Sequence, residues 1–225
     1  MKGVDVSVLS GLVAARLTAP ALVIALSPVP IVVSLLLLVH NERPYTSSVA
    51  YLLGRMVSLA TLTFAFMRVP RLFDVLLEPA PRWADWATVA GGAIVVALGA
   101  RLWWLRRGAA GPAGWEGSVG AITPVAAAGI GLFPMLANPK VLAASAAVGA
   151  EVAPFSGAGA VAAVAYYAIL ANSTVAAPIL AYVVVGPRID ARLERLRHWI
   201  QRRHREIMAV TLVIVGIAVV LYGLA

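Results

Sequence analysis

Two cations fall inside apolar runs of the chain: Lys140, in the stretch "FPMLANPKVLAAS" over Phe133 to Ser145, and Arg55, in "YLLGRMVS". A cation at the centre of a membrane-spanning helix costs roughly 2.5–3.5 kcal/mol on insertion scales, so it normally faces a cavity or a partner. All 10 acidic residues lie at or beyond the ends of the apolar runs. Neutralisation is then left to a bound anion, backbone carbonyls or water. An anionic group such as a phosphate or carboxylate suits this pair, with Lys140 as a point charge and Arg55 as a bidentate fork. Arg55 has two other readings: snorkelling toward the interface, or hydrogen bonding to a broken helix nearby.

Prolines flank these positions. Ser27, Pro28, Val29 and Pro30 interrupt the first apolar run, and Pro134, Asn138 and Pro139 interrupt the one that carries Lys140. Proline removes a helix N–H and clashes with the preceding turn, which frees backbone carbonyls. In lipid those carbonyls must find protein, water or substrate. Matched breaks flanked by Ser27, Asn138 and Lys140 predict a polar cavity between two facing helix breaks. The other reading is a pair of kinks satisfied by neighbouring helices. Asn172, Ser173 and Thr174 beside Pro178 are further candidates, as substrate contacts or as interhelical hydrogen bonds. His40 and Glu42 in "VHNERPY" could form a protonation-linked gate, or be solvated turn residues.

These residues must be positioned by membrane helices. Of 225 residues, 61% are hydrophobic and 12% charged. Soluble domains carry roughly a quarter charged residues, so this chain belongs in lipid. Cysteine is absent, which excludes disulfides, thiolate metal sites and thiol relays. Runs long enough to cross about 30 Å of hydrocarbon suggest six spans. The first ends near Val39, with Val4 to Leu17 as an interfacial helix or an extension. The others cover about Thr46–Met67, Trp86–Leu105, Ile122–Val148, Ala158–Val185 and Glu206–Leu224. The net charge of +8 sits mostly on arginines in short connectors, a topology signal rather than a nucleic-acid surface. Arg43, Arg106, Arg107 and the dense group from Arg188 to Arg205 share one side, which the positive-inside rule makes cytoplasmic. Both termini then lie outside. The stretch from Arg188 to Glu206 reads as an amphipathic connector on anionic headgroups, with Ile189, Leu193, Leu196 and Ile200 as its apolar face. Arg71 to Trp83 reads as a short outer interfacial helix.

The fold class expected is all-α, a single integral membrane domain of two inverted three-helix repeats, residues 1–110 and 111–225. Helices 1 and 4 are expected to be broken at prolines. "GAIVVALG" (Gly92 to Gly99) aligns with "GIAVVLYG" (Gly216 to Gly223), and "LSPVPIVVS" (Leu26 to Ser34) with "ANPKVLAAS" (Ala137 to Ser145). Broken helices at matching places in two halves are a pattern of secondary transporters.

The Ser-Pro-Val-Pro and Asn-Pro-Lys motifs, in "ALSPVPIVVSLLLL" and "ANPK", resemble those of the lysine-exporter (LysE) superfamily, most closely its GAP branch of actinobacterial membrane proteins. The resemblance implies a small six-helix exporter with inverted repeats, commonly dimeric, and a link to moving glycopeptidolipids or sulfolipids to the cell surface. The chain departs from the thiol-relay members by lacking cysteine, and from the metal-ion members by lacking intramembrane acidic motifs.

The expected function is therefore export of an amphipathic, anionic lipid or lipid-linked glycan across the plasma (inner) membrane by a multi-pass protein. Membrane lipids and the substrate are the expected partners, with a possible homodimer and no nucleic acid. Export of small polar solutes such as amino acids, or a non-transporting scaffold for envelope lipid export, are the rivals. No cofactor or metal is expected, and no enzymatic activity, since no nucleophile with a base falls at membrane depth.

Overall fold

The computed structural model describes residues 6–73 and 119–224. The third apolar run, most of the Arg71–Trp83 segment and the "GAIVVALG" half of one repeat match lie outside the described residues. The rest is helical: α1 (Val6–Ala25), α2 (Pro28–His40), α3 (Pro44–Phe73), α4 (Pro124–Leu136), α5 (Pro139–Val152), α6 (Gly157–Val185) and α7 (Asp190–Leu224), with a 3-10 turn at Gly186–Ile189. Among the described residues two helices are long and apolar enough to cross a membrane, or up to four if each bent pair counts as one span. From Val6 the segment before Leu17 is continuous with the helix that leads to the first break, α1.

Both breaks fall where expected, and only one proline of each set makes them. α1 and α2 meet at 55°, and α4 and α5 at 74°. Pro28 and Pro139 are the first residues of α2 and α5, where a missing N–H costs nothing because that donor has no partner inside a helix. Pro30 sits within the first turn of α2 for the same reason, and Pro134 is carried inside α4. Asn138 caps α5 by accepting a 3.0 Å hydrogen bond from the Lys140 amide, as Thr123 caps α4 through the Ala126 amide.

Each broken pair is followed by a long helix of nearly equal length, 30 residues for α3 and 29 for α6. The packing is interlocked. α3 lies mainly against α4 and α5, and α6 lies mainly against α1 and α3. A core of Leu17, Ala21, Leu59, Val148, Tyr167 and Ala171 joins these elements near one end of the bundle. Toward the other end, Val32, Leu35, Tyr51, Val175, Leu193 and Ile200 form a second core.

Backbones approach closely where α3 crosses α4. A Cβ added at Gly54 would strike the Ala128 carbonyl oxygen, and one at Gly131 would strike that of Tyr51. Small residues at such crossings let membrane helices gain dispersion contacts that lipid cannot supply. Gly131→Val is expected to destabilise the protein by about 1–3 kcal/mol through overpacking. Gly129→Val, whose added carbon meets only the Phe133 ring at 3.7 Å, is expected to be near neutral. Thermal unfolding of the two variants in detergent checks the difference.

The cytoplasmic reading of "VHNERPY" centres on a residue the candidate gate passes over. His40 and Glu42 are exposed, whereas Asn41 between them is buried. Its amide donates to the Val119 and Ile122 carbonyls at 2.7 and 2.9 Å. Its oxygen accepts from the Arg43 amide and the Ser47 hydroxyl at 2.8 and 2.9 Å. Both hydrogens and both lone pairs are thereby used, tying the α2–α3 turn to the entry of α4.

The amphipathic stretch is continuous with the last apolar run in one helix, α7. Its apolar face does not rest free on lipid: Leu193 and Ile200 are buried in the core that includes α2. Leu196, expected on that face, is exposed, and Arg197 is buried and paired with Glu194. The reason is angular: Leu193, Arg197 and Ile200 recur at four and three residues and share the inner stripe, while Leu196 stands at its edge. Gly186, with φ of 71°, ends α6 in a backbone region that other residues enter at a cost.

Candidate functional site

Arg55 is 4% exposed on α3. Its Nε donates to the Asn172 Oδ1 of α6 at 2.8 Å. Asn172 in turn donates from Nδ2 to the Ala168 carbonyl, so its oxygen is held toward Arg55. The Arg55 guanidinium carbon lies 5.8 Å from the centre of the Tyr51 ring, one helical turn back. This is cation–π geometry, which suits a cation removed from water. The Tyr51 hydroxyl reaches the Pro30 carbonyl in the first turn of α2 at 3.5 Å. Asn172 at Nε and the Tyr51 side chain beside the guanidinium thus fix this cation on α3.

The first break is closed from the same helix that holds Arg55. Thr174 donates to the carbonyl of Ala25, the last residue of α1, at 2.5 Å. That bond satisfies a carbonyl that the break leaves without an intrahelical donor. Asn172 and Thr174 thus face different neighbours, α3 and α1. Ser173 between them is exposed and donates to the Leu170 carbonyl of its own helix. One sequence cluster is therefore split three ways. Ser27 stands at the cap position of α2, half-buried, and its side chain makes no cap bond.

The second break brings Lys140. It is the second residue of α5, half-buried, and within electrostatic reach of Arg55. Among the described residues neither cation pairs with a carboxylate; the four ion pairs there involve Arg16, Arg197, His198 and Arg203. Like charges held together in a low dielectric repel. The arrangement is costly unless something negative joins it. A helix N-terminus and two cations favour an anionic oxygen group.

Of the residues singled out from sequence, Arg55, Lys140, Asn172, Thr174, Pro28 and Pro30 gather around the breaks. Asn138 and Pro139 shape the second break as cap and first residue of α5, with exposed side chains. Ser173, His40 and Glu42 face outward. Sequence reading missed Tyr51, which lies four residues before Arg55 and therefore on the same face of α3. It also missed the buried hydroxyls of Ser48 and Ser58 on that face.

Curated proteins and solved structures yield no match to this chain. A family model does: the one described as Sap, sulfolipid-1-addressing protein (SfLAP), matches residues 17–225. The match begins beside Arg16 and takes in both broken helices, Arg55, Lys140 and Asn172. A membrane protein with these apolar helices, matched over nearly its whole length, this chain belongs to the sulfolipid-1-addressing protein family.

Proposed function

We propose that this protein moves an anionic, amphipathic lipid or lipid-linked glycan across the plasma membrane, binding its charged headgroup between the two helix breaks. The observation that carries this reading is that Lys140 lies within electrostatic reach of buried Arg55 and that neither pairs with a carboxylate among the described residues. The family description adds the lipid class, because a sulfolipid carries an anionic headgroup. In this reading the protein is an exporter of the LysE type, works by transport without group transfer, and is able to pair as a homodimer.

Six spans in two inverted repeats is the architecture we infer. Its support is the recurrence of a proline-broken pair and a long helix, each long helix packing on the other repeat's broken pair. Ends of the described segments fit as well. Phe66 and Met67 of α3 lie against Gly149 near the end of α5, whereas Val119 lies against Asn41 at the opposite end of the bundle. The two described segments thus end and begin at opposite ends of the bundle, which suits repeats of opposite orientation. With six crossings both termini share one side, and the arginine-rich connectors make the other side cytoplasmic.

Purified protein in proteoliposomes with fluorescent lipids tests the proposal. Translocation of an anionic phospholipid or sulfolipid is expected to exceed that of a zwitterionic lipid by roughly ten-fold, the factor given by about 1.4 kcal/mol of headgroup preference. Equal rates for the two headgroups, or rates no higher than protein-free vesicles, would overturn it. Uptake of an amino acid in place of lipid would favour the small-solute reading.

A further inference from the structure

Four polar side chains, Ser48, Tyr51, Arg55 and Ser58, recur at three and four residues along α3 and so share one face of that helix. All four are buried, at 0, 3, 4 and 1% exposure. Tyr51 and Arg55 are engaged at the breaks. The hydroxyls of Ser48 and Ser58 have no hydrogen-bond partner.

That is unusual for a hydroxyl inside a helix, which can turn back to a carbonyl three or four residues earlier. Ser34, Thr63 and Ser173 all do so. In a bilayer an unpaired buried hydroxyl has no water to turn to, so it points to a partner that comes and goes. Beyond Ser58 the same face of α3 turns apolar, with Leu62 packed against the core. The stripe therefore runs only from near the cytoplasmic end, one residue past the Asn41–Ser47 contact, to just beyond the level of the breaks.

We propose that this face of α3 is the path along which the anionic headgroup travels from the cytoplasmic end through the Arg55–Lys140 site, with Ser48 before Arg55 and Ser58 just beyond it as hydrogen-bond donors to its oxygens. The inference rests on the transport reading above and adds a route to it. Polar groups about one turn apart along the stripe hand an oxyanion onward without trapping it, while Arg55 sets the sign of charge admitted. The helices close over the stripe in the conformation described, so passage requires them to part.

The natural absence of cysteine makes a direct test available. Ser48→Cys and Ser58→Cys, each exchanging oxygen for sulfur, are placed in proteoliposomes and treated with small methanethiosulfonate reagents, one sulfonate-bearing and one trimethylammonium-bearing. Val148→Cys, at a core position of 0% exposure, is the reference. Both serine positions are expected to react measurably while Val148→Cys stays inert. The anionic reagent is expected to react roughly ten-fold faster than the cationic one at Ser58→Cys, because a cleft lined by one sign of charge concentrates the counter-ion. Reaction at Ser58→Cys is also expected to stop lipid translocation.

If both serine positions are as inert as Val148→Cys in protein that still moves lipid, the path is wrong and the transport reading stands. If they react and the anionic reagent is preferred, but no lipid moves, the path survives and the transport reading falls. Faster reaction with the cationic reagent overturns the path. A cysteine variant that fails to fold is replaced by Ser58→Ala, which is expected to slow translocation several-fold with unchanged melting; unchanged translocation would overturn the path.

Discussion

Lys140→Ala is expected to lower translocation of an anionic lipid by about 10- to 150-fold, the equivalent of one hydrogen bond to a charged group at roughly 1.5–3 kcal/mol. Its thermal stability is expected to be unchanged or slightly raised. The side chain makes no hydrogen bond or ion pair among the described residues, and only its backbone amide is engaged, by the Asn138 cap. Truncation therefore removes no native contact of the ammonium and relieves its repulsion with Arg55. A residue whose loss helps the fold and harms the activity is held for the ligand. Lys140→Arg keeps the charge and is expected to recover part of the rate. Parallel lipid translocation and melting curves decide the matter: equal transport by wild type and Lys140→Ala removes Lys140 from the mechanism.

Asn172→Leu carries the second large effect, and its sign on stability is opposite. Asn172 accepts the 2.8 Å hydrogen bond from the Nε of buried Arg55. Its loss is expected to destabilise the protein by roughly 1.5–3 kcal/mol, the range for a hydrogen bond to a charged group, and to abolish directional headgroup binding. Adding Arg55→Leu removes the stranded cation. The double variant is expected to regain most of the lost stability, since an apolar pair of similar volume is often as stable as a buried polar one. Transport is expected to stay absent. The coupling read from this double-mutant cycle separates the structural role of the contact from its role in binding. Full transport by the double variant would reduce Arg55 to a packing residue.

Several features are legible in the amino-acid sequence alone. Proline at the first helical position combines a donor that is dispensable there with a preceding residue pushed out of the helical region, so the breaks at Ser27–Pro28 and Asn138–Pro139 follow from local chemistry. Pro30 and Pro134 show the limit of that logic. The same ring within a first turn, or within a helix whose neighbours take up the freed carbonyl, breaks nothing. The cluster Asn172, Ser173 and Thr174 is instructive in another way. Adjacent positions on a helix are about 100° apart, so three neighbours in the chain are directed to α3, to the outside and to α1. Asn41 was hidden for the reverse reason: its partners Val119 and Ile122 are some eighty residues away.

Composition alone places this chain in a membrane, because water cannot accommodate so much apolar surface with so few charges. Local backbone chemistry places its helix breaks. Which polar groups meet at those breaks was decided by tertiary structure. The close crossing at Gly54 and Gly131 sets α3 against α4, and α6 carries Asn172 to Arg55 and Thr174 to Ala25. A lone cation in an apolar run states that a partner is needed. Only the packing of distant helices brings Lys140 within electrostatic reach of a second cation, which is why the site calls for an anion.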